Sequence, residues 1–128
     1  MKLFKTTPEN CFNGIKNYDY KTHYITDVLS NINYKNFKIA YIDENKDGKK
    51  GTILCIHGHP TWSYMWRHII PLAIQEDYRV IALDLPGFGK SDKLTEESFF
   101  SFCNYRNTVI NFVKKLNLKD ITLFLHEW

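Results

Sequence analysis

Thr52-Ile53-Leu54-Cys55-Ile56-His57-Gly58-His59-Pro60 sets five apolar or β-branched residues in a row and then breaks them with Gly and Pro. The run is too short for an ordinary helix and is bounded by turn residues. It reads as a strand covered on both faces. Tyr78-Arg79-Val80-Ile81-Ala82-Leu83 and Ile121-Thr122-Leu123-Phe124-Leu125 read the same way. Two helical stretches lie between these strands. Residues 61–75 open with Thr61, a candidate N-cap, and carry Met65, Ile69, Leu72 and Ala73 at helical spacing. Pro71 predicts a kink or an early end there. Residues 98–116 carry Phe102, Val109, Phe112, Val113 and Leu116 at the same spacing. Strand–helix–strand–helix–strand predicts an α/β fold, a mostly parallel sheet with flanking helices and right-handed crossovers.

Upstream, Tyr24-Ile25-Thr26-Asp27-Val28 and Phe37-Lys38-Ile39-Ala40-Tyr41-Ile42-Asp43 alternate as strands do, with turn residues Ser30-Asn31-Ile32-Asn33 between them. Residues 44–51 form a charged, Gly-containing loop. Residues 1–23, polar and rich in Tyr and Asn, are expected to be an N-terminal arm, and residues 24–128 the core domain.

Composition narrows the function. The 128 residues are 44% hydrophobic and 24% charged, enough apolar surface for one buried core. A net charge of +3 is too small and too scattered to call for nucleic acid or an anionic membrane. No run of eighteen apolar residues reads as a membrane span, and the first ten residues lack the apolar core of a secretion signal. Cys11, Cys55 and Cys103 are odd in number and far apart, so they suggest no disulfide framework. A reduced, cytoplasmic compartment is the expectation.

Three loops follow the three apolar strands, where open α/β sheets place their ligands. In the first, His57-x-His59 reads as one structural loop histidine and one at the surface; a metal site would need further ligands at suitable spacing. In the second, Gly89-Lys90-Ser91 imitates the end of a phosphate-binding loop, but Asp84 stands where that loop needs its first Gly. A structural turn is the better reading. In the third, Glu127 is either a nucleophilic carboxylate facing the crevice or a solvated side chain. Trp62, Tyr64 and Trp66 either line a pocket or belong to the core.

Taken together, His57-Gly58-His59-Pro60-Thr61-Trp62-Ser63-Tyr64, the stretch from Asp84 through Gly87-Phe88-Gly89-Lys90-Ser91-Asp92-Lys93, and His126-Glu127-Trp128 resemble the haloalkane dehalogenases of the α/β-hydrolase superfamily. The resemblance covers nearly the whole chain. It implies a carboxylate nucleophile that displaces halide from a small apolar halogenated substrate, leaving an ester on the enzyme. A histidine-activated water then hydrolyses that ester, with no metal or organic cofactor. It places Glu127 at the nucleophile position. It makes Trp128 the donor of a backbone N–H to the oxyanion hole and of its indole N–H to halide. His59 takes the other oxyanion and halide position. Two residues depart from the family: Glu127 replaces the usual Asp, and His59 replaces the usual Asn or Glu.

His23, His57, His68 and His126 do not match the late histidine of that family. The chain is therefore expected to be the N-terminal part of such a hydrolase, ending at the nucleophile elbow. As such it should be inactive alone and poorly soluble, with its last strand an exposed apolar edge. Epoxide hydrolase, another α/β-hydrolase, or a non-catalytic binding protein of this fold are the alternatives. The His57-Gly58-His59-Pro60-Thr61 loop favours the dehalogenase over the His-Gly-aromatic-Pro-Glu of epoxide hydrolases.

Overall fold

The structure, a computed structural model, describes residues 2–127. In chain order it contains β1 (Phe4–Lys5), β2 (His23–Ile25), β3 (Ile39–Glu44), β4 (Thr52–Ile56), α1 (Ile69–Gln75), β5 (Arg79–Leu83), β6 (Lys93–Leu94), α2 (Phe102–Lys115) and β7 (Ile121–Leu125). The main sheet has the order β2-β3-β5-β4-β7. β4 runs parallel to β5 and β7, whereas β3 is antiparallel to both β5 and β2. β1 and β6 form a separate antiparallel ribbon. The sheet is therefore mixed, with its parallel part where the three apolar runs lie.

β4 is buried at every residue. Because successive strand side chains point to opposite faces, it feeds two cores. Ile53 and Cys55 join Val80 and Ala82 of β5 against Trp66 and α1 residues Ile70 and Ala73. Leu54 and Ile56 join Ile81 and Leu83 against α2 residues Tyr105 and Phe112. Each helix thus covers one face of the sheet. Burying a side chain such as Phe112, which is fully enclosed, contributes about 2–3 kcal/mol.

β7 corrects the reading of 121–125 as covered on both faces. It lies at the sheet edge with β4 on one side only, and Leu123 and Leu125 are 53% and 46% exposed.

Residues 61–75 are not one helix. Trp62 is extended, Ser63–Trp66 form a single 3-10 turn, and α1 starts only at Ile69. Thr61 caps nothing. The N–H of Ser63 goes instead to the Asp84 carboxylate at 2.8 Å. Pro71 neither kinks nor ends α1. It sits in the first turn, where its missing N–H would have had no helical partner. Downstream, Ser101 caps α2 by accepting the Asn104 N–H.

Across the antiparallel part, Arg79 grips Asp43 with both ends of its guanidinium, at 2.8 and 2.7 Å. The pair is largely buried, and its fork geometry fixes β3 against β5.

Candidate active site

Because β4, β5 and β7 are parallel, the loops after them leave from one rim of the sheet. Two buried polar side chains bind the first two loops together. His57 is fully buried. Its Nε2 accepts the Leu85 N–H at 2.9 Å, so the proton belongs on Nδ1, which lies 2.8 Å from the Gly58 carbonyl oxygen. Burial disfavours the imidazolium and pulls the pKa below the usual histidine value. His57 is a structural histidine with both nitrogens committed.

Asp84 performs the matching task from the other side. Its Oδ1 accepts the Ser63 N–H and its Oδ2 accepts the Lys90 N–H at 2.9 Å. Burial pushes this carboxyl up, and the Lys90 and Ser63 donors pull it back. Ser91 continues the lashing: its Oγ donates to the Asp84 carbonyl at 2.5 Å and accepts the Ala40 N–H at 2.8 Å. Gly89 is left-handed, with φ +51°, and a Cβ there would collide with the Asp84 carboxylate. The Gly89-Lys90-Ser91 turn thus spends an N–H on its own aspartate rather than presenting it to phosphate.

The third loop carries Glu127. The His126 N–H still donates to the Ile56 carbonyl at 3.2 Å. The chain then turns sharply, with Glu127 at φ +65°. A left-handed non-Gly residue costs of order 1–3 kcal/mol, a strain that clusters at functional sites. The turn brings Glu127 Oε2 to 3.1 Å from the His59 N–H. Gly58 leaves room for this: a Cβ there would lie 2.7 Å from Glu127 Oε2 and 2.9 Å from the His126 carbonyl oxygen. Glu127 and His59 are both exposed at the rim. The His59 ring meets Phe88 and Tyr105 in T-shaped contacts at 4.5 and 5.5 Å.

The structure therefore brings Glu127 and His59 together; Trp128 lies outside the described residues. Of the three aromatics, Trp66 is core, packed near Phe124. Trp62 stacks on Tyr64, and both meet the edge of Tyr18, whose hydroxyl donates to Ser63 Oγ at 2.6 Å. These two fasten the N-terminal residues to the rim. Sequence reasoning missed the parts played by Asp84 and Gly58. An acid directly after a buried strand was the available signal for Asp84.

An apolar hollow of about 180 Å³ runs between α2 and β7, lined by Ile56, Leu85, Val109, Ile110, Leu123 and Leu125 among others. Among the described residues, no group of three or more His, Cys, Asp or Glu could hold a metal ion, and no helix is long and apolar enough to cross a membrane.

Glu127 thus sits on a left-handed turn at the C-terminal end of a parallel strand, its carboxylate held by the N–H of a neighbouring loop. The family described as α/β hydrolase fold matches residues 51–126, and the chain belongs to it. Within that family its relatives include haloalkane dehalogenases. It is 33% identical to that of Psychrobacter cryohalolentis, over 100% of this chain and 41% of that protein. It is 37% identical to that of Mycobacterium marinum, over 95% of this chain and 40% of that protein. The tetrameric haloalkane dehalogenase of Paraglaciecola agarilytica superposes with a TM-score of 0.87 at 40% identity, covering 94% of this chain and 39% of that one. An epoxide hydrolase of Vigna radiata shares the fold, with a TM-score of 0.70 at 22% identity over 86% of this chain. The chain spans about 40% of the length of the curated relatives it matches.

Proposed function

We propose that this chain carries the nucleophile half of a haloalkane dehalogenase-type site, with Glu127 as the attacking group. The observation that carries this reading is the 3.1 Å bond from the His59 N–H to Glu127 Oε2. One carboxylate oxygen is anchored, which orients the other for attack. An Oε–C bond forms at the halogen-bearing carbon of a small apolar substrate. The carbon–halogen bond breaks, and halide leaves with the electron pair. When water later adds to the resulting ester, negative charge develops on the anchored oxygen, where the His59 N–H already points. Trp128 supplies the second backbone N–H, and its indole N–H, with the His59 ring, receives the halide. These donors suit an anion because an indole has no acceptor.

Hydrolysis needs a base to activate water. His57 cannot serve, since both its nitrogens are bound. With no histidine at the late position that the family resemblance calls for, the 128-residue chain is expected to stop at the ester. Incubation with a 1-bromoalkane is expected to add one alkyl group at Glu127, read by peptide mass spectrometry, with one equivalent of bromide released and no turnover. Glu127→Gln should abolish the adduct. An unmodified Glu127 after prolonged incubation would sink this reading and favour a non-catalytic member of the fold.

A further inference from the structure

We propose that Asn13-Gly14 is a site of spontaneous covalent modification, at which Asn13 closes a cyclic imide with the Gly14 nitrogen and opens to aspartate or isoaspartate in a hollow shared with Lys90. Asparagine is among the thermolabile residues. The reaction needs its carboxamide within reach of the next backbone nitrogen, and a side chain on that next residue obstructs it. Of the asparagines in the sequence, Asn13 alone precedes glycine.

The backbone around this pair is open. Asn13 and Gly14 are exposed, directly after the 3-10 turn Glu9–Phe12. The Asn13 N–H is anchored on the Asn10 carbonyl at 3.2 Å. Among the described residues, neither the Asn13 carboxamide nor the Gly14 N–H has a hydrogen-bond partner. Gly14 is left-handed, with φ +79°, and a Cβ there would meet nothing within 4 Å. Ring closure turns Asn13 away from its extended ψ of 141°, and an unhindered glycine follows that rotation. Asp47-Gly48, the one Asp-Gly pair of the sequence, could form the same ring but is held. The Gly48 N–H donates to the Asn45 carbonyl at 2.9 Å, and a Cβ at Gly48 would lie 2.5 Å from the Arg79 backbone nitrogen. Backbone packed that closely has no room to rotate.

The chemistry balances with water as co-reactant. Hydroxide takes the Gly14 amide proton, the nitrogen attacks Asn13 Cγ, and the Cγ–Nδ2 bond breaks with loss of ammonia. Water then cleaves the imide at the side-chain carbonyl, which leaves an aspartate, or at the main-chain carbonyl, which reroutes the backbone through Cβ. Either product lowers the net charge of +3 by one. The new carboxylate enters a hollow of about 400 Å³ at the β2 end of the sheet, which Asn13 shares with Thr22, Tyr24 and Lys90. There the Lys90 ammonium donates to Thr22 Oγ1 at 3.1 Å and lies over the Phe12 ring at 5.3 Å. The rerouted product also adds one backbone methylene next to Phe12, whose ring packs 5.5 Å from that of Trp62, and slackens the hold of the N-terminal residues on the rim.

Peptide mass mapping of the 128-residue chain, aged in mildly alkaline buffer, tests this. Position 13 should exchange NH2 for OH and yield a separate isoaspartyl peptide, at a rate proportional to hydroxide and nearly the same with and without urea. Asp47-Gly48 should form isoaspartate in urea and not in the folded chain. Gly14→Ala should slow the reaction at position 13 by roughly tenfold. The isoaspartyl chain, separated by ion exchange, should be cut faster by protease within residues 1–23 than the Asn13→Asp chain. An Asn13 that survives as long as Asn17 or Asn36, or that reacts in urea alone, overturns the proposal. So do equal rates at positions 13 and 47 in the folded chain, or equal cutting of the two products.

Discussion

A methyl group added at Gly58 would come within 2.7 Å of Glu127 Oε2 and 2.9 Å of the His126 carbonyl oxygen, closer than non-bonded atoms settle. The absent side chain is what lets the carboxylate rest against the β4 loop. Gly58→Ala is expected to leave the fold intact and to slow ester formation at Glu127 by about 10²-fold, the penalty typical of an ångström-scale misplacement. The measurement is the rate of the alkyl adduct by mass spectrometry; an unchanged rate would show that the Gly58 contact does not set the carboxylate's position. At this scale the sequence was legible where one residue followed an apolar strand. Glu127 and His59 are placed at strand ends that way, while the roles given to them rest on the family resemblance. Gly58 did not stand out, because its neighbour in space comes from a strand near the other end of the chain.

Among the elements, the loops after β4 and β5 form one unit through Asp84. Asp84→Ala would strand the N–H groups of Ser63, which is buried, and Lys90, which is half-buried; the orphaned buried donor alone costs about 1–3 kcal/mol. The urea midpoint should fall accordingly. A loss under about 1 kcal/mol would mean that water replaces the carboxylate. The same aspartate explains why residues 61–75 misled. Apolar spacing there is helical, yet the Ser63 N–H is captured by a residue 21 positions later, and no periodicity within the segment reports that. β4, β5 and β7, by contrast, were legible almost to the residue, since continuous apolar runs flanked by turns leave little choice of register. What the runs did not disclose is rank in the sheet. β4 and β7 look alike in composition, and the expectation that the last strand is an edge came from the family resemblance, not from the run itself; the order β5-β4-β7 agrees with it.

Over the whole molecule, burial sets an alkaline limit. It pushes the Cys55 thiol from 9.0 to about 12 and the Tyr105 hydroxyl from 10.0 to about 12. Above pH 9 the unfolded chain gives up these protons while the folded chain keeps them. The unfolded state then binds fewer protons, so stability falls as pH rises. Their contribution is fully present below the unfolded values and is lost through about pH 12. Urea midpoints should decline from pH 9 upward, and the decline should be shallower in Cys55→Ala. Identical slopes would assign the alkaline loss to other groups.

The bond between His59 and Glu127 joins residues 68 positions apart. Of the main-sheet pairings, β4 with β7 closes the longest stretch of chain, and closure entropy grows with that length. β2 with β3, and β4 with β5 across α1, can form first, and β7 docks late. Until it does, the molecule has two loops of its rim, joined through Asp84, and no Glu127 carboxylate beside them. The contact between Glu127 and the β4 loop is thus acquired at the end of folding, and a chain that stalls earlier leaves the rim without it.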